Sequence, residues 1–364
     1  LLVDCALWAA RAKWYGSAWE AELKSLALVT GGGGFLGSRI VSTLLDEGWQ
    51  VRSFSTRTYP ELTRRGVSCY AGDLRDGTAV GEAVRGCDVV FHAGAKLGIW
   101  GDSADYYGVN VGGTANVIQA CRAHGVRRLV FTSSPNAVFS GRDLRNVNEN
   151  APYPKQHMNP YASTKAQAEQ RVLAANGREL ATAVLRPHIL WGPGDNQFLP
   201  RLKGHVRARR MMLIGDGENL VDPVFVDTAA RVHVEAGKRL FSGSPVAGKV
   251  YFISQGDPRP MRQFLKELME AEGLGAVERR LPFPAAYAAG WLFEAMYGAL
   301  GVESEPPLTR FAACMMARTS YFDISAARRD LDYQPETFAE CLRRLRGAAM
   351  AAVPSRIVEG HVNF

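Results

Sequence analysis

Four consecutive glycines, Gly31 to Gly34, close a short apolar stretch and open an amphipathic one, and few folds accept that order. Leu26-Ala27-Leu28-Val29-Thr30 reads as a buried strand. From Phe35 to Glu47 the apolar residues Leu36, Ile40, Val41, Leu44 and Leu45 fall on one helical face, and Gly48 supplies a stop. Strand, glycine turn and helix together form the phosphate cradle of a dinucleotide fold. Gly31, Gly34 and Gly37 have the spacing GxxGxxG. Glycine there allows a tight turn, close approach of a pyrophosphate and packing of helix on strand. The free amides at the helix start would face the phosphates. Gly31, Gly34, Phe35, Leu36 and Gly37 are therefore candidate cofactor contacts.

Strand and helix patterns alternate through the first half. Residues 51–55, 67–71, 89–92, 129–132 and 183–185 read as strands, with helical patterns between them that include 106–124 and 158–175. This predicts an α/β fold: a doubly wound parallel Rossmann sheet with helices on both faces. After Pro187 the rhythm breaks at Gly192-Pro193-Gly194, and brief strands are expected near 224–226 and 250–254. We divide the chain into an extension (1–24), an NAD(P)-binding Rossmann domain (25–190), a smaller C-terminal substrate-binding lobe (191–347) and a tail (348–364). Some of the lobe's chain is expected to cross back to the Rossmann domain. A chain of 364 residues has room for both parts.

Tyr161 and Lys165 stand one helical turn apart, so both side chains leave one face. A phenol has a reference pKa near 10, and a neighbouring ammonium lowers it. The pair is a compact device for moving a proton to or from a carbonyl oxygen. Alone it is weak; the glycine loop upstream and Thr132-Ser133-Ser134 between them give it weight.

These stretches, with Gly72-Asp73-Leu74, Val90 to Lys96 and Leu185-Arg186-Pro187-His188, resemble the extended short-chain dehydrogenase/reductase family. Gly215-Asp216-Gly217-Glu218-Asn219-Leu220-Val221-Asp222 resembles its 3β-hydroxysteroid and sterol-carboxylate dehydrogenase branch. Ala95 to Gly101, Tyr251 to Ser254 and Glu305 to Phe311 are most similar to the bacterial 2-alkyl-3-oxoalkanoate reductases of olefin biosynthesis. The resemblance spans roughly residues 25 to 347. It implies that Tyr161 donates the proton and that Lys165 binds the nicotinamide ribose and lowers the Tyr161 pKa. It also implies that Ser134 holds the substrate oxygen, with Ser133 as the fallback. Asp73 and Leu74 match the family's adenine contacts, and Ala93, Ala95 and Lys96 match the loop beneath the cofactor. Pro187 and His188 match the segment at the carboxamide. Asn110 is a supporting candidate, and His188 is given no acid/base role.

The cofactor reading rests on a missing carboxylate. NAD enzymes usually place an acid at the end of the second strand to hold the ribose. Here Ser55 stands in that position, and Thr56 and Arg57 follow. A guanidinium beside hydroxyls suits a 2′-phosphate. NADP(H) is favoured, with NAD(H) as the alternative.

Net charge of +7 suits an anionic ligand, but it is too dispersed to argue for nucleic acid. The densest basic run is Arg201, Lys203, Arg207, Arg209 and Arg210, and its default reading is a solvated face. Six scattered cysteines, without CxxC or histidine-rich spacing, predict reduced thiols, a cytoplasmic protein and no metal. The first 24 residues lack the order of a cleavable signal and read as an appended helix or extension. Leu281 to Leu300 is apolar apart from Glu294, but Pro282, Pro284 and Gly290 weaken a membrane span. We read it as a lid over the substrate pocket, with a membrane-facing patch as the alternative.

The expected activity is reduction of a hydrophobic long-chain 2-alkyl-3-oxo acid. A cation from the region between Arg186 and Arg210, or Arg310, is expected to hold its carboxylate. The alternatives are a 3β-hydroxysteroid or sterol-carboxylate dehydrogenase, a nucleotide-sugar epimerase, or a protein that binds NADP(H) without turnover. A homodimer, or peripheral membrane or multienzyme association, accords with the resemblance.

Overall fold

The computed structural model describes residues 25–208, 211–275 and 279–351. The extension, Arg209, Arg210 and the tail beyond 351 lie outside the described residues. Seven parallel strands form the main sheet: β1 (Leu26–Thr30), β2 (Gln50–Ser55), β3 (Ser68–Ala71), β4 (Val89–His92), β5 (Arg128–Thr132), β6 (Ala181–Pro187) and β7 (Lys249–Ile253). Their spatial order is β7-β6-β5-β4-β1-β2-β3. The chain steps outward from β1 to β3, then crosses back to place β4 on the other side of β1. That reversal opens a crevice at the carboxyl ends of β1 and β4, where open α/β sheets bind ligands.

Alternation along each strand divides the core. In β1, Ala27 and Val29 face one layer and Leu28 the other. The first layer contains Ile40, Val41 and Leu44 of α1 (Phe35–Asp46). The opposite layer is filled by Val117, Ile118 and Cys121 of α2 (Gly113–Ala123) and by Ala168 and Val172 of α3 (Pro160–Ala175). Both faces are covered, so the strands read as nearly continuous apolar runs.

After β6 the chain leaves the sheet and forms α4 (Phe198–Arg207). It returns as α5 (Val226–Arg239), whose Ala229, Ala230 and Val234 pack in the layer of α1, and then as β7. The strand expected at 250–254 therefore belongs to the main sheet, not to the lobe. The remaining lobe holds α6 (Met261–Ala271), α7 (Phe283–Ala299) and α8 (Arg310–Ala317). Its four-stranded sheet has the order Arg259–Pro260, Leu220–Val221, Ser320–Phe322, Leu144–Val147. Trp191 centres the lobe core against Phe225, Phe264 and Phe338.

Helix α7 is not the lid read from the sequence. It packs on α8 through Gly290, where a Cβ would stand 2.7 Å from the Thr309 and Arg310 backbone. Its outer face leaves Trp291, Leu292 and Met296 exposed. No described helix is long and apolar enough to cross a membrane.

The glycine loop holds because no side chain intervenes. Gly31 has φ +69°, and a Cβ on it would lie 2.8 Å from the Cα of Gly94, just beyond β4. A Cβ on Gly37 would lie 2.0 Å from the Gly31 carbonyl oxygen. Backbone cannot yield that space, so Gly37→Ala should cost about 1–3 kcal/mol as overpacking. Gly298, in α7, has nothing within 4 Å of such a position. Gly298→Ala should instead gain about 0.5–1 kcal/mol of helix stability. Melting temperatures of the two variants check the contrast: the first should fall and the second rise.

Candidate active site

Helix α3 begins where the site needs it. Pro160 sits in its first turn, and the Asn159 side chain caps it by accepting from the Ala162 N–H at 2.8 Å. Tyr161 and Lys165 then project from the first two turns toward the ends of β4 and β5. The Tyr161 phenol faces the hydroxyl of Ser134, which stabilises its anion by hydrogen bonding. Burial works the other way and is the larger effect, so the phenol is pushed up to about 12. The expected lowering by Lys165 is not what this arrangement produces. Lys165 turns its ammonium onto the Thr132 carbonyl, 4.3 Å from the centre of the Phe131 ring. Burial brings that amine down to about 7, with Glu169 opposing.

The two serines part company. Ser133 donates to Glu169 at 2.5 Å, while Ser134 remains beside Tyr161. Glu169 is fully buried, and it also accepts from Tyr153 at 2.6 Å and from both arms of Arg186. This disposes of Arg186 as a partner for a substrate carboxylate: its charge is already matched inside the core. Arg310 is likewise held by Glu294, through its Nε at 2.6 Å.

A second network joins the glycine loop to α3. The Thr114 hydroxyl donates to the Asn110 carbonyl at 2.6 Å, so its oxygen is left to accept from His92 Nε2–H at 3.0 Å. His92 Nδ1 then accepts from the Thr30 hydroxyl at 2.7 Å, and Thr30 accepts from the Gly94 N–H at 3.1 Å. The Asn110 amide donates to Thr164 of α3 at 3.0 Å and to the Lys96 carbonyl at 3.1 Å. Asn110 lies in a π-helical turn (Tyr107–Gly112), a distortion that often accompanies function.

A cavity of about 560 Å³ runs from the glycine loop to the lobe. Gly31, Gly34, Phe35, Leu36, Gly37, Ala93, Ala95, Ser134, Tyr161, Lys165, Pro187 and His188 all line it. Ser55, Arg57, Asp73, Leu74 and Lys96 do not. Ser55 accepts the Gly33 N–H at 3.3 Å, and the Arg57 guanidinium lies 5.1 Å from the centre of the Tyr59 ring. Asp73 is bound to Arg75 at 2.6 Å, Leu74 is buried, and the Lys96 ammonium is paired with Asp105. His188 is held at both ring nitrogens, by the Asp222 carbonyl at 2.9 Å and the Ser320 hydroxyl at 2.9 Å. Burial brings its imidazole down to about 4, so it serves as neutral structure.

Arg201, from the basic run within the region expected to supply a cation, lines the cavity from α4 and is paired with Glu305 at 2.6 Å. Sequence reasoning missed two other features of the cavity. Met315 and Met316 of α8 form a flexible apolar wall. Ile189 has φ +36°, a strained conformation for a β-branched residue, beside His188. Residue type signalled neither; Glu169 was missed as well, and its place one turn beyond Lys165 is the signal that could have found it.

A glycine cradle, and a tyrosine and a buried lysine one helical turn apart at the end of a doubly wound sheet, accord with an oxidoreductase of the short-chain dehydrogenase/reductase type. Residues 28–284 match the 3-beta hydroxysteroid dehydrogenase/isomerase family, and the chain belongs to that family. The 2-alkyl-3-oxoalkanoate reductase of Stenotrophomonas maltophilia is 46% identical over 327 residues, 89% of this chain and 99% of the relative. The Shewanella oneidensis protein of the same name is 40% identical over 333 residues, 89% of this chain and 86% of its own. Among solved structures, the DesIV double mutant (dTDP-glucose 4,6-dehydratase) of Streptomyces venezuelae, with NAD bound, superposes with a TM-score of 0.68 at 23% identity. That likeness covers 90% of this chain and 97% of the other, and it shows the fold.

Two predictions follow from this geometry. Tyr161→Phe should lower kcat by about 10²-fold or more, as for a lost general acid. Ser134→Ala should cost about 10²-fold, as for a lost oxyanion donor, and clearly more than Ser133→Ala; single-turnover kinetics on the three variants decide this.

The second concerns acid. Burial lowers His92 to about 3 and both His188 and His233 to about 4, below the unfolded value near 6.5. The unfolded chain then binds more protons, so stability is lost as pH falls from about 6.5 toward 4. Each imidazole adds up to about 1.4 kcal/mol per pH unit. Thermal melts from pH 7 to 4.5 should show a falling midpoint, with a shallower fall in His233→Gln.

Proposed function

We propose that this chain reduces a long-chain 2-alkyl-3-oxoalkanoate to the 3-hydroxy acid with NADPH. The observation that carries the reading is a single cavity in which Tyr161 and Ser134 face an apolar wall while Arg201 stands on the same lining. Leu97, Ile99, Phe198, Phe311, Met315 and Met316 supply the surface for alkyl chains. The names of the two bacterial relatives agree with this chemistry.

The glycine cradle fits a dinucleotide: Gly31, Gly34 and Gly37 line the cavity, and a Cβ on Gly31 or Gly37 would collide with the backbone that shapes it. Bound there, NADPH supplies the hydride. Tyr161 gives its proton to the ketone oxygen, and its high pKa keeps that proton available until charge develops. Ser134 donates a hydrogen bond to the same oxygen. Lys165, which donates to the Thr132 carbonyl, would hold the ribose hydroxyls of the bound cofactor. Arg201 exchanges Glu305 for the substrate carboxylate. Ser55 brings no negative charge to the end of β2, and the exposed Arg57 stands two residues beyond it, which favours a 2′-phosphate.

The family match also accords with a 3β-hydroxysteroid dehydrogenase. The deciding experiment is an activity panel. It sets long-chain 2-alkyl-3-oxo acids and their esters, in reduction, against 3β-hydroxysteroids in oxidation, each with both cofactors. The keto acid with NADPH should give the highest kcat/KM, and Ser55→Asp should move preference toward NADH. Each added CH₂ should strengthen binding until the cavity is full, by up to about 0.8 kcal/mol. Arg201→Met should raise KM for the acid about 10-fold or more and leave the ester unchanged. Preference for a steroid with NAD would replace this reading.

Two associations remain proposals. The outward Trp291, Leu292 and Met296 support peripheral membrane attachment, and liposome flotation against Trp291→Glu reads it. The groove between α2 and α3, lined by Ala115, Ile118 and Ala174, supports a homodimer, which sedimentation reads.

A further inference from the structure

Glu169 joins every backbone segment that carries a reacting group. It stands one turn beyond Lys165 on α3, so Tyr161, Lys165 and Glu169 share one helix face. Its Oε2 accepts from Ser133, whose chain neighbour is Ser134, and from Arg186 Nε at 3.0 Å. Its Oε1 accepts from Tyr153 at 2.6 Å and from the second arm of Arg186, whose chain neighbours are Pro187 and His188. All of this occurs out of water: Glu169 is 0% exposed and Arg186 1%.

The charges do not cancel. Two buried cations, Arg186 and Lys165, lie near one buried anion, Glu169. The Arg186 Nη1 has no hydrogen-bond partner, and the guanidinium lies 5.0 Å from the centre of the Phe252 ring. Electrostatics thus reinforces the fourfold hydrogen bonding of the carboxylate. An extra cation beside the cleft also suits an oxygen that gains negative charge.

We propose that Glu169 is the positioning residue of this site: it fixes the Ser134 corner against the Tyr161 helix and provides the anion that faces Lys165. It touches neither substrate nor cofactor and acts through Ser133, Arg186 and Lys165. The inference rests on the reductase reading only for its kinetic part.

The groups around Lys165 are few. Its own helix contributes Tyr161 and Glu169; β4 contributes His92, which is neutral; β5 contributes the Thr132 carbonyl. His233 of α5 is held on the Thr132 hydroxyl at 3.0 Å and is also neutral. Arg186 of β6 and Tyr153 lie on the far side of the carboxylate. Glu169 is the one anion in the set, and burial and Glu169 are the opposing influences on the amine. Removing that anion should lower the pH at which Lys165 loses its proton.

The experiment titrates Lys165 in the ligand-free full chain by NMR of protein labelled with ¹³Cε-lysine, using Lys165→Met to assign the signal. Glu169→Gln should move the Lys165 midpoint down by about one pH unit. It should also shift the high-pH fall of kcat in the same direction and lower kcat about 10-fold or more. Glu169→Gln/Arg186→Gln removes both charges of the hydrogen-bonded pair, so Arg186 is not left without its carboxylate, and it serves if the single variant does not fold. It should leave the midpoint below the wild-type value, because Arg186 lies on the far side of the carboxylate, and kcat should stay low. An unmoved midpoint in folded Glu169→Gln, or wild-type kcat in the folded double variant, would overturn the proposal. Because the titration needs neither substrate nor cofactor, a wild-type chain inactive on keto acids would refute the reductase reading and leave this result standing.

Discussion

The close approach of two backbones sets the rest of the structure. Gly31 follows β1 and Gly94 follows β4, and the two meet with no room for a Cβ between them. That contact lies where the strand order reverses, so it defines the crevice. Thr30 and His92 sit directly behind it and carry hydrogen bonds to Thr114, and through Asn110 to α3. The loop that would bind phosphates and the helix that bears Tyr161 are thus fixed to one buried polar chain. A side chain inserted at the contact would part both at once.

Burial then decides the chemistry. It holds the Tyr161 proton in place and makes the Lys165 charge costly. A protonated phenol beside Ser134 is the state required to reduce a ketone. The same desolvation makes each hydrogen bond in the cleft stronger and each unmatched charge more expensive. This is why Arg186 is committed to Glu169 in the core, whereas the pair of Arg201 with Glu305 stays at the surface, where our proposal has it exchange partners.

Much of the architecture was legible in the sequence because it is local. The glycine spacing, the apolar strands and the α1 stripe each follow from neighbouring residues. The parallel sheet followed from their alternation, and the family resemblance agrees with the matching of residues 28–284. What could not be read depends on long-range contacts. Strand β7 joins β6 across more than sixty residues, so it read as part of the lobe. Ser133 and Ser134 are chemically alike, and only the position of Glu169 separates them. Arg186 and Arg201 are alike in type, yet one lies inside the core and the other on the cavity lining. Helix α7 read as a lid because its residues are apolar; its one charge, Glu294, is instead turned inward to Arg310.

The central claim is that one cleft aligns a dinucleotide, a ketone and a carboxylate on Tyr161, Ser134 and Arg201. A crystal structure with NADP⁺ and a long-chain 2-alkyl-3-hydroxy acid tests it most directly. The account predicts the 3-hydroxyl oxygen within hydrogen-bond distance of both Tyr161 and Ser134, the carboxylate on Arg201 and the alkyl chains against Phe311, Met315 and Met316. A 3-hydroxyl bound away from Tyr161, or alkyl chains outside this cavity, would contradict it.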